Sequence, residues 1–230
     1  MLISYSHKFL FFHVPKVAGI SIREALKAYV QEPEHFKIAR PPRTIGERPN
    51  PLYEMWSSTL LHARAKDVRK ELPGELYRNF FKFAFVRNPW DWQVSMYHFL
   101  LHETTNPRYP VVKALTGFEE YLEWVVATNN PYPKVATKFQ KDILTDAEGN
   151  LLVDFVGRYE TLEQNFRQIC QTLKLAVSLP HLNKTGHRDY RLYYTERTKC
   201  LLADHFKDDI ELFGYTFDGY FPEKVSRLGA

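Results

Sequence analysis

Cysteine is scarce: of 230 residues only Cys170 and Cys200 carry a thiol. That excludes a four-cysteine zinc site and a disulfide framework, leaves room for one bridge at most, and suits a reducing compartment. Long apolar runs are missing too. No stretch approaches the ~20 apolar residues a membrane-spanning helix needs. The run Phe9–Phe12 is short and meets His13 at once, without the longer apolar core and small-residue cleavage site of a signal peptide. The expectation is a cytoplasmic protein, or a soluble domain lacking its targeting segment. There is no internal repeat, no low-complexity tract and no basic run dense enough for a nucleic-acid-binding tail. The Walker A loop ending in Gly-Lys-Ser/Thr and the dinucleotide glycine fingerprint are both absent.

What is present belongs to a globular protein. The chain is 44% hydrophobic, 25% charged and 15% aromatic, enough for one sizeable domain spanning 1–230 with a buried core. The net charge of +4 is unevenly spread. Residues 1–110 hold 16 Lys+Arg against 10 Asp+Glu, whereas residues 111–230 hold 15 against 17. A basic front half suits an anionic small ligand.

The pattern alternates strand and helix. Apolar runs at Lys8–Val14 and Phe80–Val86 read as buried parallel strands, with further strands at Ser57–Ala63 and Leu152–Val156. Helices are expected over Ser21–Val30, Lys66–Leu72, Trp90–His102, Phe118–Ala127, Thr161–Leu173 and Thr195–Phe213. Proline-rich stretches at 33–51, 104–110 and 131–133 read as loops. Such alternation predicts an α/β three-layer fold, with a central parallel β-sheet flanked by helices. Ligands of such sheets bind beyond the carboxyl ends of the strands.

Two turns occupy that position. After Val14 come Pro15, Lys16, Val17, Ala18, Gly19, Ile20 and Ser21 and then a helix. Free amides at a helix start favour an anion, Gly19 permits close backbone approach, and Lys16 and Ser21 add a charge and a hydroxyl. After Val86 come Arg87, Asn88 and Pro89. Asn88 suits an N-cap and Pro89 the first helical position. Arg87 offers a planar fork to a phosphate, Ser95 a hydroxyl two turns into the helix. The plainer alternatives are a capped turn with a solvated Lys16, and an Arg87 that simply pairs with Asp91. Together, the two turns predict a nucleotide with phosphates at two places.

These segments resemble the sulfotransferases that use 3′-phosphoadenosine-5′-phosphosulfate (PAPS). Pro15–Ser21 is similar to the family's 5′-phosphosulfate loop. Phe85–Pro89, with Ser95 and Tyr97, is similar to its 3′-phosphate motif. Val156–Leu162 and Asn183–Tyr194 resemble a later segment and a nucleotide-closing loop, so the resemblance runs from about residue 8 to about 217, nearest to the carbohydrate-modifying branch. It implies a P-loop-like version of the α/β fold, PAPS as donor, no metal, and a hydroxyl acceptor on a sugar or glycan, an activity of the EC 2.8.2 type. It implies that Lys16 neutralises the bridging and leaving oxygens. The amides of Val17, Ala18, Gly19, Ile20 and Ser21 hold the 5′ end, Arg87 and Ser95 the 3′-phosphate, and Lys184, Thr185 and Arg188 close on the nucleotide. The chain departs from the pattern in having Val17 and Ile20 where a threonine is frequent, and Trp92 where a basic residue is common.

The base for the acceptor proton must come from elsewhere. His62 follows the expected second strand, histidine is the commonest general base, and similar enzymes place a histidine or glutamate in this region. Glu103 and Asp91 are the reserve candidates. His98 and His102 stand four apart without a third metal ligand in view, and are expected to line the acceptor cleft or face solvent. Arg158 is expected to pair with Glu160 or an aspartate, and Tyr190, Tyr193 and Tyr194 to pack. Arg40, Arg43, Arg48 and Arg108 hint at an anionic acceptor. The competing readings are a nucleotide-dependent kinase, disfavoured by the missing acidic pair for magnesium, and a non-catalytic nucleotide-binding module.

Overall fold

The computed structural model describes residues 1–31, 44–49, 60–132, 137–180 and 187–221. In chain order the strands are β1 (Leu2–Ser4), β2 (Phe9–Phe12), β3 (Thr44–Ile45), β4 (Arg48–Pro49), β5 (Phe81–Val86), β6 (Phe155–Arg158), β7 (Tyr215–Thr216) and β8 (Gly219–Tyr220). The helices are α1 (Gly19–Leu26), α2 (Ala65–Glu71), α3 (Gly74–Asn79), α4 (Pro89–His102), α5 (Tyr109–Ala114), α6 (Phe118–Ala127), α7 (Lys141–Leu144), α8 (Leu162–Leu173), α9 (Glu196–His205) and α10 (Lys207–Phe213). The central sheet has the order β1-β2-β5-β6. β2, β5 and β6 are parallel, in register from Phe9 opposite Phe81 and from Phe83 opposite Phe155. β1 closes the edge antiparallel, and β3–β4 and β7–β8 are small separate hairpins. This is the expected α/β architecture of a parallel-rich sheet flanked by helices.

The reason lies in composition. Every residue of β2 is buried, as are the last five of β5, so both faces of these strands are covered, as crossover helices require. The Phe83 ring packs 5.8 Å from Phe9 and 5.3 Å from Phe11. The one charge inside β5, Lys82, is satisfied by the carbonyls of Tyr77 and Phe80 and by Asp154 at 2.8 Å. α8 lies against β6, and α4 packs on α5, α6 and the turn at 190–193.

Four expectations change. Of the expected strand Ser57–Ala63, residues 57–59 lie outside the described ones; Leu60 and Leu61 are helical and His62 sits in the turn that follows. The fourth strand shifts to Phe155–Arg158, where it can pair with β5. α1 begins at Gly19, so Ser21 is in the first turn rather than at its cap. The long last helix breaks at Phe206, which is buried and packs at a tilt against Phe139, ring centres 5.2 Å apart, and a second helix starts with Asp208 and Asp209 in its first turn, where acidic residues meet the positive dipole end. No described helix is long and apolar enough to cross a membrane.

Candidate functional site

Both turns lie where β2 and β5 end side by side. In the first, Lys16 and Ala18 adopt left-handed conformations, φ 63° and 62°, although neither is glycine. Each such residue costs on the order of 1–3 kcal/mol and persists only where its surroundings over-determine it. Two fixings are visible. The indole N–H of Trp92 donates to the Pro15 carbonyl at 2.8 Å, and Nη1 of Arg87 donates to the Lys16 carbonyl at 3.3 Å. Trp92 therefore anchors the loop. Left-handed residues in a turn direct backbone amides toward a common concavity, an arrangement suited to an anion.

Gly19 is required for a reason other than a ligand's approach. A Cβ there would lie 1.8 Å from Nε2 of His13, so the His13 ring occupies the space above this glycine. Val17 and Ser21 are buried, whereas Ile20 is 60% exposed.

The second turn is held more tightly. Asn88 caps α4 by accepting from the Trp90 amide, and Pro89 takes the first helical position. Arg87 is 3% exposed. Its Nε donates to Oδ2 of Asp91 at 2.8 Å, Nη2 approaches the same oxygen at 2.8 Å and Nε2 of His187 at 3.1 Å, and its plane lies 4.1 Å from the Tyr159 ring. The guanidinium donates, so Nε2 of His187 accepts; Nδ1 then carries the proton and donates to the Arg188 carbonyl at 2.8 Å. The Asp91 pairing is thus present, and it leaves one Nη1 proton of Arg87 without a partner among the described residues.

One face of α4 ties these groups together. Asp91, Ser95 and Phe99 follow at four-residue steps, which stacks them on one side of the helix. Asp91 meets Arg87. Phe99 carries the Lys16 ammonium 4.6 Å from its ring centre. Between them, the Ser95 hydroxyl is fully buried and has no partner among the described residues. Burial, and then the nearby Arg87 charge, lower the Lys16 pKa to about 8.

His62 is partly buried beside the loop. Its ring centre is 5.1 Å from that of His13, and Nδ1 is 3.4 Å from the His13 carbonyl oxygen. A carbonyl only accepts, so that contact places the proton on Nδ1 and leaves the Nε2 lone pair available. Burial lowers the His62 pKa to about 4, so the imidazole is neutral at pH 7. His13 is more deeply buried, and its pKa falls to about 2.

The remaining candidates separate clearly. Glu103 caps the end of α4 and accepts from the Thr105 hydroxyl at 2.7 Å. His98 lies 2.8 Å from the Tyr193 hydroxyl and stacks with His102 and His187. Among the described residues no group of three or more His, Cys, Asp or Glu is placed to hold a metal ion. Arg158 does not pair with Glu160. It is buried between Tyr215 and Tyr220 and donates to the carbonyls of Phe213 and Phe221. Glu160 instead accepts from the Asn88 amide at 2.7 Å and the Tyr215 hydroxyl at 3.0 Å. Tyr193 and Tyr194 bond to His98 and Trp90 and pin the 190–194 turn onto α4, and Tyr190 bonds to the Phe217 carbonyl in the β7–β8 hairpin. Arg108 donates to the Asn130 carbonyl at 2.8 Å and Arg48 sits in an exposed hairpin. Lys184, Thr185, Arg40 and Arg43 lie outside the described residues.

Sequence reasoning passed over His187, Tyr159 and Gln140, and gave Glu160 to Arg158 rather than to the Asn88 amide it accepts from. Their neighbours Arg188 and Arg158 carried a charge that drew notice. The Gly186-His187-Arg188 run was the available signal for the first.

No curated protein and no solved structure gives a match. A family model described as "Sulfotransferase family" matches residues 1–216, nearly the whole chain and both turns included, and the chain belongs to that family.

Proposed function

We propose that this sulfotransferase takes PAPS as donor and moves its sulfuryl group to a carbohydrate hydroxyl by in-line displacement. One observation carries the reading. The Lys16 ammonium, the Arg87 guanidinium and the Ser95 hydroxyl, unpartnered among the described residues, lie along one side of α4. That donor set suits the bisphosphate of a nucleotide.

In this reading the loop amides of Val17 to Ser21 hold the 5′-phosphosulfate. Lys16 faces the oxygen that bridges sulfur and phosphorus and neutralises the charge it gains as the S–O bond breaks. Arg87 and Ser95 take the 3′-phosphate, which occupies the place His187 Nε2 holds in this structure or accepts the remaining Nη1 proton. His62 Nε2 removes the proton of the acceptor hydroxyl as its oxygen bonds to sulfur. The bound anions raise the His62 pKa from its low resting value, which favours that transfer. Lys184 and Thr185 are assigned to the donor by family resemblance alone.

The test is direct. Purified protein is incubated with ³⁵S-labelled PAPS and a panel of glycans in the presence of a metal chelator. Label appearing on a glycan hydroxyl supports the proposal. Transfer to phenols or peptides only, or strict dependence on a divalent cation, overturns it.

A further inference from the structure

The Arg87 side chain has partners enough, but its backbone has lost its own. β5 ends at Val86, opposite Arg158, and Arg87 continues past the last ladder pair. A single side chain takes over. Gln140 Oε1 accepts from the Arg87 amide at 3.0 Å, and Gln140 Nε2 donates to the Arg87 carbonyl at 2.8 Å. The primary amide thus pairs with the arginine as one residue of a neighbouring strand would. Gln140 is 53 residues away and buried, so no water replaces these bonds.

Gln140 is itself held from a third part of the chain. Its backbone N–H donates to Oδ2 of Asp209 at 2.8 Å, and the Lys141 N–H donates to Oδ1 at 2.9 Å. Asp209 is 1% exposed. Among the described residues no ammonium pairs with it; the Lys141 Nζ is 2.7 Å from Asp208 instead. Burial pushes the Asp209 pKa up to about 7, against the opposing pull of those two amides. A carboxylate held at such a cost offers what asparagine lacks, two oxygens for two adjacent N–H groups.

We infer that Asp209 and Gln140 form a positioning relay that fixes the Arg87 backbone, so that recognition of the donor's 3′-phosphate is set from α10. The inference rests on the reading of Arg87 as the 3′-phosphate residue. Both are positioning residues, acting only through Arg87. A relay of this kind acts directly on the 3′-phosphate, and on the 5′ end only through the 3.3 Å bond from Arg87 Nη1 to the Lys16 carbonyl, so it weakens the first more than the second, which a general loss of stability does not do.

The experiment compares 3′-phosphoadenosine-5′-phosphate with adenosine 5′-phosphate, which lacks the 3′-phosphate, by calorimetry on the full chain. The variants are Gln140→Met, which keeps the volume and removes both bonds, and Asp209→Asn. The parent is expected to prefer the bisphosphate. Gln140→Met is expected to lose about tenfold in bisphosphate affinity while its affinity for adenosine 5′-phosphate falls about twofold at most, and Asp209→Asn to move the same way. If the parent binds both nucleotides equally, the reading of Arg87 falls and takes the relay with it. If the parent discriminates and the variants discriminate equally well, or lose both affinities in parallel with thermal stability, the relay alone is overturned. Should one variant not fold, the other gives the same ratio.

Discussion

Nη1 of Arg87 donates to the carbonyl oxygen of Lys16 at 3.3 Å across 71 positions of sequence. The two anion-binding turns are therefore one object. The arginine proposed to hold one phosphate also holds the backbone of the lysine proposed to face the other, and both rest on the same face of α4. Arg87→Lys keeps the charge and loses the fork. It is expected to raise the donor KM about tenfold or more and to loosen the loop.

Lys16 sets an alkaline limit. With a pKa lowered to about 8 by burial and the Arg87 charge, the free enzyme loses this ammonium above pH 8. kcat/KM for the donor is expected to fall about tenfold per pH unit beyond that point, while kcat holds to higher pH because bound phosphate restores the charge. Lys16→Arg moves the limb out of range. A pH–rate profile of kcat/KM that stays flat to pH 9.5 contradicts this.

His13 and Gly19 share one space. Gly19→Ala drives a methyl into the His13 imidazole and is expected to destabilise the protein by about 1–3 kcal/mol. The double variant His13→Ala/Gly19→Ala recovers part of that loss, since the clash is gone, and a double-mutant cycle by denaturant unfolding reads the coupling. Additive effects would show that the two do not touch.

The same histidines make the fold acid-sensitive. Their folded pKa values, about 2 for His13 and about 4 for His62, lie below the ordinary 6.5. A base with a depressed folded pKa stabilises the fold above its unfolded pKa, and the benefit is lost as pH falls through the window below it. Unfolding free energy should thus drop from about pH 6.5 downward, with His13 alone contributing up to about 1.4 kcal/mol per pH unit. Chemical unfolding at pH 7.5, 6 and 5 measures this. Replacing His13 by asparagine flattens the slope, and an unaltered slope would remove the cause.

His62 separates binding from chemistry. His62→Ala should bind the desulfated donor as the parent does and lose about 10²–10⁴ in kcat. Full turnover on the true acceptor would pass the role to another group.

Much of this was legible in the sequence because it is local. Phe9–Phe12 and Phe81–Val86 are apolar at nearly every position. The Asn88-Pro89 pair marks a helix start by its own chemistry, Arg87 follows the end of β5 directly, and Lys16 stands four residues beyond the end of β2. The stretch around Leu60 was misread because a short apolar run looks alike in a strand and in a helical turn. β1 has three residues and α7 four, too few to show a period. Gln140, His187 and the contact of Glu160 with Asn88 were hidden for another reason. Each acts on the Arg87 turn from 53 to 100 positions away, and nothing local distinguishes them from surface polar residues.

The most direct test is a calorimetric titration of the parent protein with 3′-phosphoadenosine-5′-phosphate, with ATP as control and without magnesium. The account predicts tight, saturable binding of the bisphosphate and weak or no binding of ATP, with Arg87→Lys reducing the first. Equal binding of the two nucleotides, or none of either, would contradict it and return the two turns to a kinase-like or non-catalytic role.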